Sequence, residues 1–124
     1  MAAAPIVRGL RGATTVDEDT VAQVTERSQE LMREIMTRND LVEDDIISVL
    51  FTATADVTST FPATAIRAIG FGAVPLLCAA EIAVPGAMPL CIRVLLHVHT
   101  ARSRDEIRHI YLHGAQGLRD DLPG

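Results

Sequence analysis

Within residues 90–100, every second position from 92 to 98 is aliphatic, and the positions between them include an arginine and a histidine, which is the pattern of a half-buried β-strand. Ile92, Val94, Leu96 and Val98 would share one face of that strand, and Arg93, Leu95, His97 and His99 would share the other. A fixed positive charge in such an apolar run is costly unless an anion meets it. The segment therefore predicts a strand with one core face and a small organic anion as the partner of Arg93.

Another strand that carries arginine, the first along the chain, is predicted over residues 6–13. It contains Arg8 and Arg11, together with glycines of the kind found where a backbone or a ligand approaches closely. All 11 residues counted as lysine or arginine are arginines, so catalysis through a lysine Schiff base is excluded. Arginine keeps its charge and presents a planar fork that matches a carboxylate. Carboxylate binding by arginines on strands is thus the chemistry that the sequence favours.

Strands alternate with helices along the rest of the chain, which predicts one mixed α+β domain over residues 1–124, with a mixed sheet flanked by helices. A capping box at residues 15–18 is expected to open a helix that runs to about residue 38. A second strand is predicted over residues 45–53, a short helix over 63–69 and a third strand over 74–78. Ser103 is expected to cap a helical turn that ends at Arg108. Residues 110–124 are weakly patterned and are expected to lie over the surface or against a neighbour.

Composition argues against several classes of partner. The formal net charge is -5 and aromatic residues make up 3% of the chain, which disfavours nucleic-acid binding. The apolar stretch at 72–96 is interrupted by charges and prolines, so no membrane span is predicted. No secretory signal is predicted, and the two cysteines are expected to be reduced thiols in a cytoplasmic protein, with a Cys78–Cys91 bridge as the alternative.

His97 and His99 would point the same way from one strand, which is a geometry that can bind a metal. His109 and His113 could add ligands, but no further spacing completes a set. Solvated strand histidines are therefore the favoured interpretation, and neither a metal nor a cofactor is predicted.

Six short motifs follow one another along nearly the whole chain. They are residues 8–16, Phe61-Pro62-Ala63 with Arg67, Val74-Pro75 leading to Cys78 and Glu81, Cys91-Ile92-Arg93-Val94, residues 107–112, and Leu118-Arg119. In this order the set resembles the trimeric pseudo-α/β-barrel class of chorismate mutase.

The resemblance implies an isomerase that converts chorismate to prephenate in aromatic amino-acid biosynthesis. It further implies a homotrimer with sites between subunits and no metal or cofactor. In this pericyclic Claisen rearrangement a C–O bond breaks as a C–C bond forms. The enzyme must therefore hold a flexible dianion in a compact conformer and stabilise the charge that grows on the ether oxygen.

The same resemblance assigns roles to individual residues. Arg93 would face the ether oxygen and Glu81 would accept the ring hydroxyl, as the two catalytic positions. Substrate-binding positions would be Arg11, Tyr111, Cys78, Phe61, Ala63, Arg67, Leu118 and Arg119.

Two departures from the family pattern predict weaker substrate binding. Thr64 stands where many members have a lysine, and Asp120 replaces a proline in the C-terminal tail. Two rival functions fit the arginines as well: a non-catalytic trimeric binder of small carboxylates, and a trimeric imine deaminase, which the motifs do not favour.

Overall fold

A mixed sheet forms the centre of the computed structural model, which describes residues 4–121. Its five strands are β1 (Ile6–Thr15), β2 (Ile46–Ala53), β3 (Leu76–Ala80), β4 (Cys91–Thr100) and β5 (Ile110–Tyr111), in the spatial order β3-β2-β4-β1-β5. β4 is antiparallel to both β1 and β2, whereas β3 is parallel to β2 and β5 is parallel to β1. The prediction of a mixed α+β fold is confirmed.

Two helices, α1 (Val21–Arg38) and α2 (Pro62–Arg67), bury their apolar side chains in the same core as the sheet. The core residues of β4 are Ile92, Val94, Leu96 and Val98, all at most 4% exposed. Arg93 and Leu95 on the opposite face are half-buried, and His97 and His99 are exposed. The prediction that this strand has one core face and one second face is therefore confirmed. The second face is partly exposed to solvent.

Gly12 allows α1 and β5 to approach β1 closely. A Cβ atom at this position would lie 2.9 Å from Cδ1 of Ile35 and 3.1 Å from the carbonyl oxygen of Ile110. Only a glycine fits such a contact without displacing its neighbours, so this residue fixes how the helix and the C-terminal strand lie on β1.

The predicted capping box at residues 15–18 is wrong. Thr15 ends β1 opposite Cys91, and its hydroxyl accepts the backbone N–H of Gly114 at 2.9 Å. The helix begins later, at Val21, where the hydroxyl of Thr20 accepts a hydrogen bond from a first-turn N–H. A long-range contact thus occupies the side chain that would have capped a local helix.

The helical turn predicted from Ser103 is present but shorter than expected. The Ser103 carbonyl accepts from the N–H groups of Glu106 and Ile107, at 3.0 and 3.3 Å, and the turn ends before Arg108. The Ser103 N–H donates to the Glu106 carboxylate at 2.8 Å, which is half of the expected box. The chain then straightens, because the Arg108 N–H donates to Oδ1 of Asn39 at 2.7 Å and leads into β5.

The other elements differ from prediction by a few residues. β2 follows a short 3-10 helix at Glu43–Asp45, β3 begins two residues later than expected, and a 3-10 helix at His113–Asp121 follows β5. No helix in the described part of the chain has the length and apolar character needed to cross a membrane.

Candidate active site

Four residues form one row across the open face of the sheet, and together they define the floor of a cleft. Tyr111 of β5 pairs with Ala13 of β1, Ala13 pairs with Arg93 of β4, and Arg93 pairs with Thr52 of β2. Arg11 lies two residues before Ala13 on the same side of β1, because side chains alternate along a strand. Arg11 and Arg93 are therefore diagonal neighbours, which in a sheet are about 7–8 Å apart.

Glu81 meets the charge of Arg93 from the end of β3. The Glu81 N–H donates to the carbonyl of Ala53 at 3.0 Å and so extends the β2–β3 pairing by one residue. One oxygen of its carboxylate accepts from Nε of Arg93 at 3.2 Å, and the other accepts from the Thr52 hydroxyl at 3.0 Å. Within the chain, the carboxylate of Glu81 is therefore the anionic partner of Arg93.

This ion pair leaves part of the arginine available. The Arg93 side chain is 42% exposed, whereas that of Glu81 is 16% exposed. Among the described residues Glu81 is the acceptor for Arg93, and it binds only Nε. The two terminal nitrogens of the guanidinium therefore remain to donate to a ligand in the cleft, with their orientation fixed by the Nε bond.

The cleft has a volume of about 390 Å³, which suits a small organic molecule. Its polar groups include Arg11, Arg93 and Tyr111, and its apolar wall includes Leu50, Leu95 and Leu118. A small carboxylate would find two guanidinium groups and one phenol hydroxyl on rigid strands, in a site that is otherwise mostly apolar.

A second cleft, of about 460 Å³, is lined by the ends of β2 and β3 and by the loop that leads from β2 to α2. It is lined by Phe61 and Cys78 together with neighbouring small residues. Phe61 is 65% exposed at this cleft. Arg67 is exposed on α2, the helix that begins directly after Phe61, whereas Ala63 is 6% exposed in the core.

The residues singled out from the sequence therefore fall into two groups. Arg11, Arg93, Tyr111 and Leu118 line the first cleft. Glu81 lines a neighbouring pocket of about 250 Å³ and contacts the first cleft through its ion pair with Arg93. Phe61 and Cys78 line the second cleft, with Arg67 and the buried Ala63 on the adjoining helix. Arg119 lies outside the residues whose side chains the structure describes.

The two cysteines differ in their surroundings. Both are free thiols, so the alternative of a Cys78–Cys91 bridge is not realised. Cys91 is fully buried, and burial raises the pKa of its thiol above the usual value. It acts as a small apolar core residue, whereas Cys78 is half-buried at the second cleft.

Sequence reasoning missed two residues that organise these clefts. Thr52 orients Glu81, and nothing distinguishes it from any other strand threonine in the sequence. Asp19 accepts hydrogen bonds from the N–H and hydroxyl of Thr58 and from the N–H of Ser59, at 2.8–3.1 Å. These bonds lower the pKa of Asp19 to about 2 and hold the loop that lines the second cleft.

The histidine pair of β4 does not form a ligand set. His97 is exposed, and its Nδ1 lies 3.3 Å from the hydroxyl of Ser48. Within residues 4–121 no group of three or more His, Cys, Asp or Glu side chains is placed to hold a metal ion.

Comparison with known proteins gives one family throughout. The family model described as chorismate mutase type I matches residues 7–122. The chorismate mutase AroH of Thermus thermophilus is 45% identical over 118 residues, which are 94% of this chain and 97% of that protein. The chorismate mutase AroH of Bacillus subtilis strain 168 is 39% identical, with 94% and 93% covered. A solved chorismate mutase from Clostridium thermocellum superposes with a TM-score of 0.87 at 44% identity, covering 89% of this chain and 98% of that one.

Proposed function

Because the chain belongs to the type I chorismate mutase family, we propose that the cleft of Arg11, Arg93 and Tyr111 is the half-site at which chorismate rearranges to prephenate. The protein is an isomerase of aromatic amino-acid biosynthesis. The observation that carries the role of this cleft is the Arg93–Glu81 pair, which orients a guanidinium toward a space where Arg11 and Tyr111 also lie.

The rearrangement needs no proton transfer, so the site has to do two other things. It has to hold the dianion in the conformer in which the new C–C bond can form, and it has to stabilise the ether oxygen as the C–O bond breaks. Arg11 and Tyr111 bind a substrate carboxylate, which restricts the conformer. The carboxylate of Glu81 accepts a hydrogen bond from the ring hydroxyl of the substrate, through lone pairs that the bonds from Arg93 and Thr52 do not occupy.

Arg93 supplies the electrostatic part. A fixed donor aimed at developing charge in a site that excludes water contributes about 3–4 kcal/mol to transition-state stabilisation. The lower end of enzymatic acceleration, about a millionfold, requires about 8 kcal/mol. One arginine can therefore account for a large share of the rate, and the restricted conformer of the substrate for much of the remainder.

The second cleft supports a site completed by another copy of the chain. Cys78 belongs to β3 at one edge of the sheet and lines the second cleft with Phe61, whereas Tyr111 belongs to β5 at the other edge. In a ring of identical subunits the β3 side of one copy would meet the first cleft of the next, and such a head-to-tail contact closes at three subunits if each turns by 120°. We accordingly propose a homotrimer, and a cytoplasmic location consistent with two free thiols.

Loss of chorismate absorbance in the ultraviolet tests the activity directly, because prephenate absorbs less. Purified protein is expected to remove chorismate well above the uncatalysed rate. Decay at the uncatalysed rate, combined with measurable binding of chorismate, would leave the non-catalytic binder as the function.

Mixing two inactive variants tests whether each site is shared. Arg93→Ala removes the donor of the first cleft, and Arg67→Glu reverses the charge at the end of α2, the helix that begins at the second cleft. If the sites form between subunits, a refolded equal mixture recovers about a quarter of the wild-type sites, since each site draws its two halves at random from neighbouring copies. A mixture of Arg93→Ala with Arg11→Ala recovers none, because both changes fall in the same half. Equal activity of the two mixtures would contradict the shared site.

A further inference from the structure

His109 binds the backbone of the strand that carries Arg11. The backbone N–H of Arg11 donates to Nδ1 of His109 at 3.0 Å. β5 pairs with β1 only through Gly12–Ile110 and Ala13–Tyr111. The imidazole thus supplies a hydrogen-bond acceptor one residue before the strand pairing begins, where no β5 residue is paired with β1.

The position of this hydrogen bond matters for the cleft. On its other side, Arg11 is paired with Leu95 of β4, so His109 is what fixes the amide of Arg11 on the β5 side. A guanidinium lies at the far end of a long side chain, and a small rotation of its backbone displaces it by a larger distance. Displacements of about 1 Å at a substrate-positioning group can cost as much as about 100-fold in rate.

The hydrogen bond exists only when the imidazole is neutral. Nδ1 accepts the Arg11 N–H, so the proton of the ring is on Nε2, and protonation of Nδ1 would turn the acceptor into a donor. His109 lines a pocket of about 380 Å³ together with Arg8 and Arg11 of β1 and Arg104 of the preceding turn, whereas β4 contributes only the uncharged Leu95. Burial lowers the pKa of His109, and the charge of Arg11 lowers it further. The residue is therefore a neutral acceptor at neutral pH.

We infer that His109 is a positioning residue, which holds the β1 backbone at Arg11 so that the guanidinium reaches the substrate carboxylate. This role rests on the proposed function, in which Arg11 binds that carboxylate. When Nδ1 is protonated, two N–H donors, that of Nδ1 and that of the Arg11 backbone, face each other. The hydrogen bond is therefore lost as the pH falls through the folded-state pKa of His109. Substrate affinity then decreases on the acid side, whereas kcat, which depends on Arg93, changes little.

Two substitutions separate this role from a general need for a side chain at the position. His109→Asn places an amide oxygen close to where Nδ1 lies, and His109→Gln moves it one carbon further along. Loss of one hydrogen bond at Arg11 corresponds to about a fivefold change in an equilibrium constant. KM for chorismate should therefore rise about fivefold in His109→Gln with kcat near the wild-type value, whereas His109→Asn should keep the wild-type KM. Because its amide does not titrate, the asparagine variant should also lose the acid-side rise in KM.

The amide of Arg11 reports on the same contact without any turnover. In ¹H–¹⁵N spectra of the wild-type protein its resonance should move with the titration of the His109 imidazole, and in His109→Asn that movement should vanish. His99→Gln removes an exposed histidine of β4 and should leave both KM and the Arg11 resonance unchanged.

The possible failures are distinguishable. Chorismate turnover with the same KM in the asparagine and glutamine variants, or an Arg11 resonance that ignores the titration of His109, would overturn the positioning role alone. A wild-type protein that shows the amide titration but no turnover would overturn the proposed function, and with it any enzymatic role for the contact.

Discussion

Replacing Arg93 with lysine keeps the positive charge and removes the geometry, so it isolates what the guanidinium does. Arg93 uses Nε to bind Glu81 at 3.2 Å, which leaves its terminal nitrogens for the ligand. The lysine ammonium lies one bond short of those nitrogens and is a single charged centre. In Arg93→Lys it can pair with Glu81 or reach toward the ether oxygen, but it cannot do both in the arginine geometry.

The expected loss follows from removing one preorganised donor to the reacting oxygen, which costs about 3–4 kcal/mol, or about 100- to 1000-fold in kcat. KM should change much less, because Arg11 and Tyr111 still bind the carboxylate. Initial rates of chorismate loss, measured over a range of concentrations, separate the two constants. Circular dichroism and the urea midpoint establish that the variant is folded.

Arg38→Lys is a matched control. Arg38 also binds a carboxylate through Nε, that of Glu34 at 3.0 Å, but on the exposed surface of α1. This variant should have wild-type kinetics. If Arg93→Lys also retained near-normal kcat, Arg93 would not be at the bond that breaks, and the electrostatic reasoning would be refuted.

Four further outcomes are expected. Gly12→Ala should lower the free energy of unfolding by about 1–3 kcal/mol in urea titrations, because the new methyl group overpacks the contact with Ile35; unchanged stability would contradict the close approach. At mildly alkaline pH a thiol reagent should modify Cys78 much faster than Cys91, since Cys91 is buried and its thiol pKa is raised; equal rates would argue against that burial. Asp19→Asn should have a lower urea midpoint than wild type above about pH 4, and the difference should shrink as the pH falls toward the folded-state pKa of about 2. A difference that persists below that pKa would mean that the carboxylate charge is not what holds the loop. Finally, kcat should show no bell-shaped pH profile, because no proton moves in the rearrangement; two clear limbs near neutrality would oppose a pericyclic route.

β1 and β4, which carry the two arginines of the site, could be predicted because their signal is local, whereas β5, which carries Tyr111, was not predicted. Alternation along residues 90–100 assigned Arg93 to one face and the core residues to the other, and the structure has both. The row of residues across the strands could not be predicted in this way. The pairing of Ala13 with Arg93, and of Arg93 with Thr52, depends on strand register. Register is set by core packing and connections across the whole sheet, and so Thr52 could not be identified beforehand.

The wrong capping box and the shortened helical turn have a shared physical cause. Thr15 and Ser103 each begin a pattern that is typical of a capping box, but in both places a distant group competes with local helix formation. Thr15 accepts the N–H of Gly114, and the segment after Ser103 is drawn to Asn39. Intrinsic local preferences are weak, and tertiary contacts routinely override them.

His109 illustrates the same limit at the site. From the sequence, His109 could be named only as a possible further metal ligand beside His97 and His99. A side chain that binds a distant backbone N–H carries no local signature. Only the placement of β5 beside β1 reveals its partner.

A crystal structure with a bicyclic transition-state analogue bound tests the central claim most directly. The ether oxygen of the analogue should lie within hydrogen-bonding distance of a terminal nitrogen of Arg93, with one carboxylate on Arg11 and Tyr111. An analogue bound away from this cleft, or one whose ether oxygen faces a different donor, would contradict the assignment.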